Sequence, residues 1–222
     1  MTRTRPPLTR ARIIEAGLAI VDEEGLDALS MRRLGRQLGV EAMSLYHHVR
    51  DKDDVVNGIN LLVLSRLDTD TEGLDWPEAL MAFAERLYAA YLPRPSLARA
   101  LTWTVPTNSE LLFTMEHVLA RMAESQLPPA TQVSAFRGVI ASTVGFVLVH
   151  TDPPPASPSV AWRGWDAVDL SPLDTPHLVA LAPSLEATPL ADDFRFTVRA
   201  VIDALRAMSA RPPARAPTEP QL

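Results

Sequence analysis

Residues 30–52 carry side chains suited to nucleic-acid binding. The stretch holds five basic residues against Glu41 and Asp51, and the first twelve residues hold four arginines and no acid. Arginine and lysine neutralise phosphates, while polar and apolar side chains contact base edges in the major groove. The basic residues of the stretch are Arg32, Arg33, Arg36, Arg50 and Lys52.

The net charge of −6 argues at first against a nucleic-acid partner, but the charges are unevenly distributed. Residues 1–54 contain nine basic and nine acidic residues, and the remainder contains twelve basic and eighteen acidic residues. All the net negative charge therefore lies after residue 54. This distribution favours a phosphate-binding module attached to an acidic body.

Other kinds of chemistry lack the residues they need. There is no cysteine, so disulfides and cysteine zinc sites are excluded, and there is no glycine-rich phosphate loop or serine elbow. His150 and Asp152 are too few to predict a metal site. No apolar run reaches the roughly 18 residues of a membrane span, and no signal peptide is recognisable. We expect a cytoplasmic protein that is not an enzyme, with no cofactor and no metal.

Helical periodicity and capping residues predict four helices in the first part of the chain. Thr9 and Ser30 are N-cap residues, and Gly25 and Gly39 end the helices that follow them. A glycine between two short helices permits the sharp corner of a helix-turn-helix. The predicted helices cover residues 9–24, 30–38, 41–48 and 51–70.

The rest of the chain is also predicted to be helical, with no strand. We expect helices at 75–91, 96–102, 108–124, 130–150, 175–182 and 191–210, and a proline-rich loop at 152–174. The prediction is an all-α fold with a three-helix helix-turn-helix DNA-binding domain at 1–55, a helical ligand-binding and dimerisation domain at 56–210, and a disordered tail at 211–222.

The third helix of such a unit enters the major groove with its N-terminal end towards the bases. Its first exposed side chains are predicted to contact base edges, and Arg32 is suited to guanine. Tyr46 and Lys52 are placed to bind phosphate, and the two histidines further along could contact backbone or base. The predicted DNA-binding residues are Met31, Arg32, Ala42, Met43, Ser44, Tyr46, His47, His48 and Lys52.

The helix-turn-helix sequence resembles that of the TetR family. The resemblance lies in Leu38-Gly39-Val40, Ser44-Leu45-Tyr46, His48-Val49 and Lys52. It has two departures: Met31 stands where a hydroxyl residue often contacts phosphate, and Ala42 where the tetracycline repressor reads a base with an amide. The body is similar to the tetracycline-repressor branch. This implies a homodimer, with helices 130–150 and 191–210 forming a four-helix interface. Separately, Lys52 is the only lysine beside twenty arginines, and with abundant alanine and proline this indicates GC-rich codon usage in a bacterium.

Aromatic residues and methionines in the body, with sparse polar groups between them, predict a pocket for an apolar or aromatic molecule. Such residues are also the usual content of a helical core, and that alternative stays open. Tetracycline is not expected as the ligand. The tetracycline repressor binds the drug with a histidine, and the corresponding position of this chain falls near Asp68. The predicted lining is Phe83, Leu87, Trp103, Thr104, Phe113, His117, Phe136, Val139, Thr143, Phe146 and His150.

The predicted function is that of a repressor that a small molecule releases from double-stranded DNA. We call the helix-turn-helix domain the DNA-reading head. Because one head contacts few bases, we expect two heads, related by a two-fold axis, on a palindromic operator. A ligand-independent binder and a transcriptional activator are the alternatives.

Overall fold

The computed structural model describes residues 6–101, 109–151, 174–187 and 189–210, where every regular element is a helix. Only the backbone is described at 109–111, 113, 114, 150, 151 and 185–187. The predicted all-α class is confirmed. The predicted tail at 211–222 and nearly all of the predicted loop at 152–174 lie outside the described residues.

The first four helices are α1 (Arg10–Glu24), α2 (Met31–Leu38), α3 (Ala42–Leu45) and α4 (Lys52–Ser65). The hydroxyl of Thr9 accepts a hydrogen bond from the N–H of Arg12 at 3.3 Å, and that of Ser30 accepts one from Arg33 at 3.1 Å. These hydroxyls satisfy N–H groups that a helix start leaves without a partner. The predicted starts of α1 and α2 are confirmed.

Helix α1 crosses α4 at two glycines. A Cβ on Gly58 would lie 2.2 Å from Cδ1 of Ile14, and one on Gly17 would lie 2.9 Å from Cδ1 of Ile59. The missing side chains let the two helices approach closely, which leaves Ile13 and Ile59 fully buried. Helix α4 also packs against the body, so the domain boundary at residue 55 stays a prediction.

Helix α3 is shorter than predicted. It covers four residues, Ala42–Leu45, instead of 41–48. The N–H of Tyr46 donates to the carbonyl of Met43 at 3.3 Å, and that of His48 to Leu45 at 2.9 Å. Bonds to the third preceding residue tighten the chain into a turn and end the α-helix.

Helix α4 ends at Ser65, so the predicted end at residue 70 is wrong. The carboxylate of Asp68 accepts the N–H of Asp70, and that of Asp70 accepts the N–H of Glu72, both at 2.9 Å. Short acidic side chains bind nearby backbone N–H groups in competition with the helix. A helical pattern of apolar residues does not reveal this competition.

The body contains α5 (Trp76–Tyr91), α6 (Pro95–Arg99), α7 (Ser109–Ala123), α8 (Pro129–Thr151), α9 (Pro176–Ala187) and α10 (Leu190–Ser209). Asp75 and Glu78 form the predicted capping box of α5, with bonds of 2.9 and 3.0 Å. Helices α5, α7, α8 and α10 pack together. The predicted end of α9 at residue 182 is wrong, because the helix continues through Pro183. A proline removes one helical hydrogen bond and can kink a helix without ending it.

Helix α8 corrects the expectation that no segment could span a membrane. Within the described residues, Pro129–Val149 is long and apolar enough to do so by length and composition alone. Only 28% of the most apolar window of this segment is buried in the subunit. An apolar helix so little covered by its own chain leaves a face for a partner.

Candidate nucleic-acid interface

Two glycines form the corner between α2 and α3. Gly39 has φ 63° and ψ 41°, the left-handed conformation that side chains disfavour. A Cβ on Gly35 would lie 2.8 Å from the carbonyl oxygen of Val40 and 3.2 Å from the backbone nitrogen of Ala42. The N–H of Val40 donates to the carbonyl of Gly35 at 2.9 Å. The corner therefore depends on a close approach of backbone to backbone.

The segment that includes α3 has one buried and one exposed side. Leu45 and Val49 are buried in the hydrophobic core, and α3 packs against α2. Met43 is 74% exposed and Tyr46 is 47% exposed. Met43 on α3 and Tyr46 just after it are thus presented to solvent by a segment whose other side is buried.

All nine predicted DNA-binding residues lie in α2, in α3, in the turn after it and at the start of α4. Arg32, His47, His48 and Lys52 are exposed, as are Met43 and Tyr46. The other three are half-buried: Met31, Ala42 and Ser44. The structure assigns their places, and their contacts with DNA stay predictions.

The neighbouring arginines of α2 differ in their surroundings. Nε of Arg33 donates to the carboxylate of Glu24 at 3.1 Å, and Nη1 donates to Oε1 of Gln37 at 2.8 Å. The ion pair lowers the pKa of the Glu24 carboxyl. Arg33 is therefore half-buried and engaged with Glu24 and Gln37, whereas the Arg32 side chain is exposed to solvent.

A buried carboxylate at the start of α4 was missed by the sequence analysis. Asp54 accepts two hydrogen bonds from the Arg10 guanidinium, both at 2.8 Å, and one from the backbone N–H of Arg50 at 2.9 Å. Hydrogen bonding from the Arg10 side chain lowers the pKa of Asp54 to about 2, against the opposing effect of burial. The backbone hydrogen bond from Arg50 and the positive charges of Arg10 and Arg50 act in the same direction.

The lowered pKa of Asp54 predicts a dependence of stability on pH. Its ionised form stabilises the fold above about pH 4, and this contribution is lost as the pH falls towards 2. We expect wild type to exceed Asp54→Asn in free energy of unfolding by about 1–2 kcal/mol at pH 6, a range reduced for the half-exposed Arg10. Denaturant titrations at pH 6, 4 and 2.5 should show this gap closing. A gap that stays constant over that range would contradict the assignment.

The predicted ligand-binding residues divide between the core and the surface. Phe83, Leu87, Phe136, Val139 and Thr143 are buried. The Phe83 and Phe136 rings stack with centroids 5.4 Å apart, and the Thr143 hydroxyl donates to the Val139 carbonyl at 2.8 Å. Phe83 and Leu87 lie on α5 and the other three on α8, and these two helices pack against each other.

The other predicted pocket residues do not all join this group. Half-buried Phe146 meets Phe194 of α10 edge to face at 5.8 Å. His117 is exposed and lines a separate surface cavity of about 550 Å³ with Arg121 and residues 67–72. Trp103 and Thr104 lie outside the described residues, as do the side chains of Phe113 and His150.

Tyr88 and Phe194 were not among the predicted pocket residues. Their rings stack with centroids 4.5 Å apart, and they line a cleft of about 340 Å³ between α5 and α10. The helical spacing of Phe194 indicated only a core position. Its pairing with Tyr88 requires α5 and α10 to be adjacent, which periodicity does not reveal.

Helices α8 and α10 leave an apolar surface exposed. Phe196 of α10 is 75% exposed, on the side of the helix opposite buried Val198 and Ile202. The exposed face of α8 carries small residues, among them Gly138, Ala141 and Gly145. We call Phe196 and the small residues of α8 the α8–α10 face.

Sequence comparison decides the family. A model described as bacterial regulatory proteins, tetR family, matches residues 13–59. A second, described as the tetracyclin repressor-like C-terminal domain, matches residues 69–209, more than half of the chain. The chain belongs to the TetR family. The family resemblance of the helix-turn-helix and of the body is thereby confirmed.

Relatives of this TetR chain are regulators. An HTH-type transcriptional regulator from Saccharopolyspora erythraea is 32% identical over 152 residues, which cover 68% of the chain and 64% of the relative. The repressor DrrR1 from Streptomyces coeruleorubidus is 32% identical over 147 residues, which cover 64% of the chain and 53% of DrrR1. The chain thus spans less than two thirds of either relative.

The TetR fold is also found by structural comparison. Apo ActR from Streptomyces coelicolor is 25% identical, with a TM-score of 0.77 over 93% of this chain and 100% of ActR. ActR has also been solved in complex with actinorhodin. Within the residues described for this TetR chain, no three His, Asp or Glu side chains are grouped to hold a metal ion.

Proposed function

We propose that this TetR-family chain is a sequence-specific DNA-binding repressor that acts as a homodimer and leaves its operator when a small molecule binds. The observation that carries the proposal is the exposed side of the segment containing α3, where Met43 and Tyr46 face solvent while Leu45 and Val49 anchor it. On this fixed segment Met43 suits contact with thymine methyl groups, and Tyr46 just after α3 is placed to bind phosphate. A protein with this role works in the cytoplasm, where bacterial DNA lies.

A second copy of the chain covers the α8–α10 face in this proposal. Small residues on α8 let a helix approach closely, and Phe196 is a large apolar group that a partner can bury. A two-fold interface presents both features twice. It also presents two DNA-reading heads, as a palindromic site requires.

The ligand response is proposed to act through α4. This helix packs on α1 in the head and on α6 and α7 in the body. At its centre, the hydroxyl of buried Tyr91 donates to Oδ1 of Asn60 at 3.0 Å, and burial raises the pKa of Tyr91. A ligand releases DNA if it favours a position of α4 that separates the heads wrongly.

The effector is proposed to be an apolar or aromatic molecule bound among the body helices. ActR, which shares the fold and was solved with actinorhodin, supports this class of ligand. The predicted lining includes the stacked rings of Phe83 and Phe136, which would have to separate to admit a molecule. An effector of this kind therefore selects a more open arrangement of α5 and α8.

Selection of binding sites from random duplexes tests the proposal. The purified full chain should enrich a palindrome with half-sites about 34–36 Å apart, or a multiple of this spacing. Aromatic compounds, actinorhodin first, are then titrated against the complex, and release identifies the effector class. Repression is read from a promoter fusion in a deletion strain. Failure to enrich any symmetric sequence at low salt would end the proposal.

Arg32→Ala tests base reading by α2. We expect operator affinity to fall by about 1–3 kcal/mol and preference at one base position to relax. Arg33→Ala is the matched control, since it removes the same charge from an arginine that is paired with Glu24. Binding to a panel of operators with single base changes measures both effects. Equal relaxation of the same position by both variants would contradict the role of Arg32.

A further inference from the structure

The carboxylate of Asp54 joins three segments of the head. It receives two bonds from Arg10 at the start of α1 and one from the backbone of Arg50, two residues before α4. Its own backbone N–H donates to the carboxylate of Asp51 at 2.8 Å. Asp54 is 8% exposed, whereas the Arg10 side chain is 47% exposed, so the carboxylate is buried and the guanidinium reaches it from the surface. One side chain thus fixes α1, the turn after α3 and the first turn of α4 together.

The same arginine reaches the turn that follows α3. Nη1 of Arg10 lies 3.5 Å from the carbonyl oxygen of His48. Helix α3 has four residues and no side-chain N-cap at Glu41, so its own hydrogen bonds hold it weakly. Its position depends on the burial of Leu45 and Val49 and on these polar ties at its C-terminal end.

Charge and position predict opposite effects for Asp54. Asp54 follows the predicted DNA-binding residues His48 and Lys52 by six and two positions in the sequence. A negative charge near them repels phosphate. By electrostatics alone, its removal strengthens binding to DNA of any sequence. If the carboxylate positions α3, its removal weakens binding only where bases are read, because phosphate contacts tolerate small displacements better than base contacts.

We propose that Arg10 and Asp54 are positioning residues that hold α3 in its base-reading position and so determine the preference for operator over unrelated DNA. This inference rests on the proposed function. Neither side chain needs to contact a base, because both act through the turn between α3 and α4. The preference for one sequence therefore depends on an ion pair formed between residues 44 positions apart.

Asp54→Asn tests the inference on the full-length protein. We expect its affinity for the selected operator to fall about tenfold, the cost of roughly one mismatched base pair. Its affinity for unrelated duplex should be unchanged or higher. Asp53→Asn is the matched control, because Asp53 is an exposed neighbour and the variant has the same net charge. It should keep the wild-type ratio of the two affinities, and Asp54→Glu should restore part of that ratio.

The affinities are measured well below the melting temperature, where a residue that only stabilises the fold leaves the ratio unchanged. If Asp54→Asn does not fold, Arg10→Gln is compared with Arg12→Gln, whose parent arginine bonds the carbonyls of Pro6 and Pro7. The ratio should fall for Arg10→Gln alone. Equal ratios in each matched pair would overturn the inference. A wild-type protein without sequence preference would instead refute the proposed function.

Discussion

Replacing Phe196 by aspartate is expected to convert the protein into monomers that no longer bind an operator. Phe196 is 75% exposed in the subunit, and a partner subunit is proposed to bury it. Loss of a buried aromatic anchor costs at least about 2 kcal/mol, and a two-fold interface contains the residue twice. Dimer affinity should therefore fall about a thousandfold or more. Sedimentation equilibrium measures the change in mass.

Met43→Asp is the control for this variant. Met43 is also exposed, at 74%, but it lies on α3 and not on the α8–α10 face. The Met43→Asp protein should remain dimeric but lose operator binding. The two variants therefore distinguish the surface that forms the dimer from the surface that reads DNA. Dimers of Phe196→Asp at micromolar concentration would show that another surface joins the subunits.

Gly35→Val is expected to abolish specific DNA binding while the body stays folded. Even a Cβ at this position would lie 2.8 Å from the carbonyl oxygen of Val40, and a valine adds two methyl groups beyond it. The backbone must move, so the angle between α2 and α3 changes. Operator affinity should fall to the level of unrelated DNA, a loss of about a thousandfold or more.

The matched control places the same side chain two residues further along α2. Gln37 is exposed, so Gln37→Val should cost only about 0.5 kcal/mol of helix propensity and one solvent-exposed hydrogen bond from Arg33, and leave operator binding nearly intact. Gel-shift titrations and circular dichroism compare the two variants. Wild-type operator affinity in Gly35→Val would show that the α2–α3 corner does not position the reading helix.

Features fixed by neighbouring residues could be predicted from the sequence. The caps at Thr9, Ser30 and Asp75 each involve a partner three residues away, so the pattern alone places them. The ends of α3 and α4 could not be predicted in the same way. There the periodic apolar pattern continues, but local hydrogen bonds replace the helical ones, such as the bond that the N–H of Asp70 donates to the carboxylate of Asp68.

Contacts between segments that are distant in the chain could not be predicted from the sequence. The Arg10–Asp54 ion pair forms only because α1 crosses α4 closely at Gly58. The separation of His117 from the aromatic residues of the core likewise depends on which face α7 buries. A list of aromatic and polar residues predicts that a pocket is chemically possible, but the packing of the helices decides which of them meet.

In the proposed complex, the exposed side of α3 lies in the major groove, once in each subunit. The chain has no cysteine, so Met43→Cys provides a single site for a photocrosslinker. Irradiation on the selected operator should link it to bases at two symmetric positions about 34–36 Å apart, or a multiple of this. The control label at Leu181→Cys on α9, where the side chain is 58% exposed, should link to no base. Equal crosslinking from both positions, or no crosslinking from Met43→Cys on a bound operator, would show that α3 does not lie in the major groove.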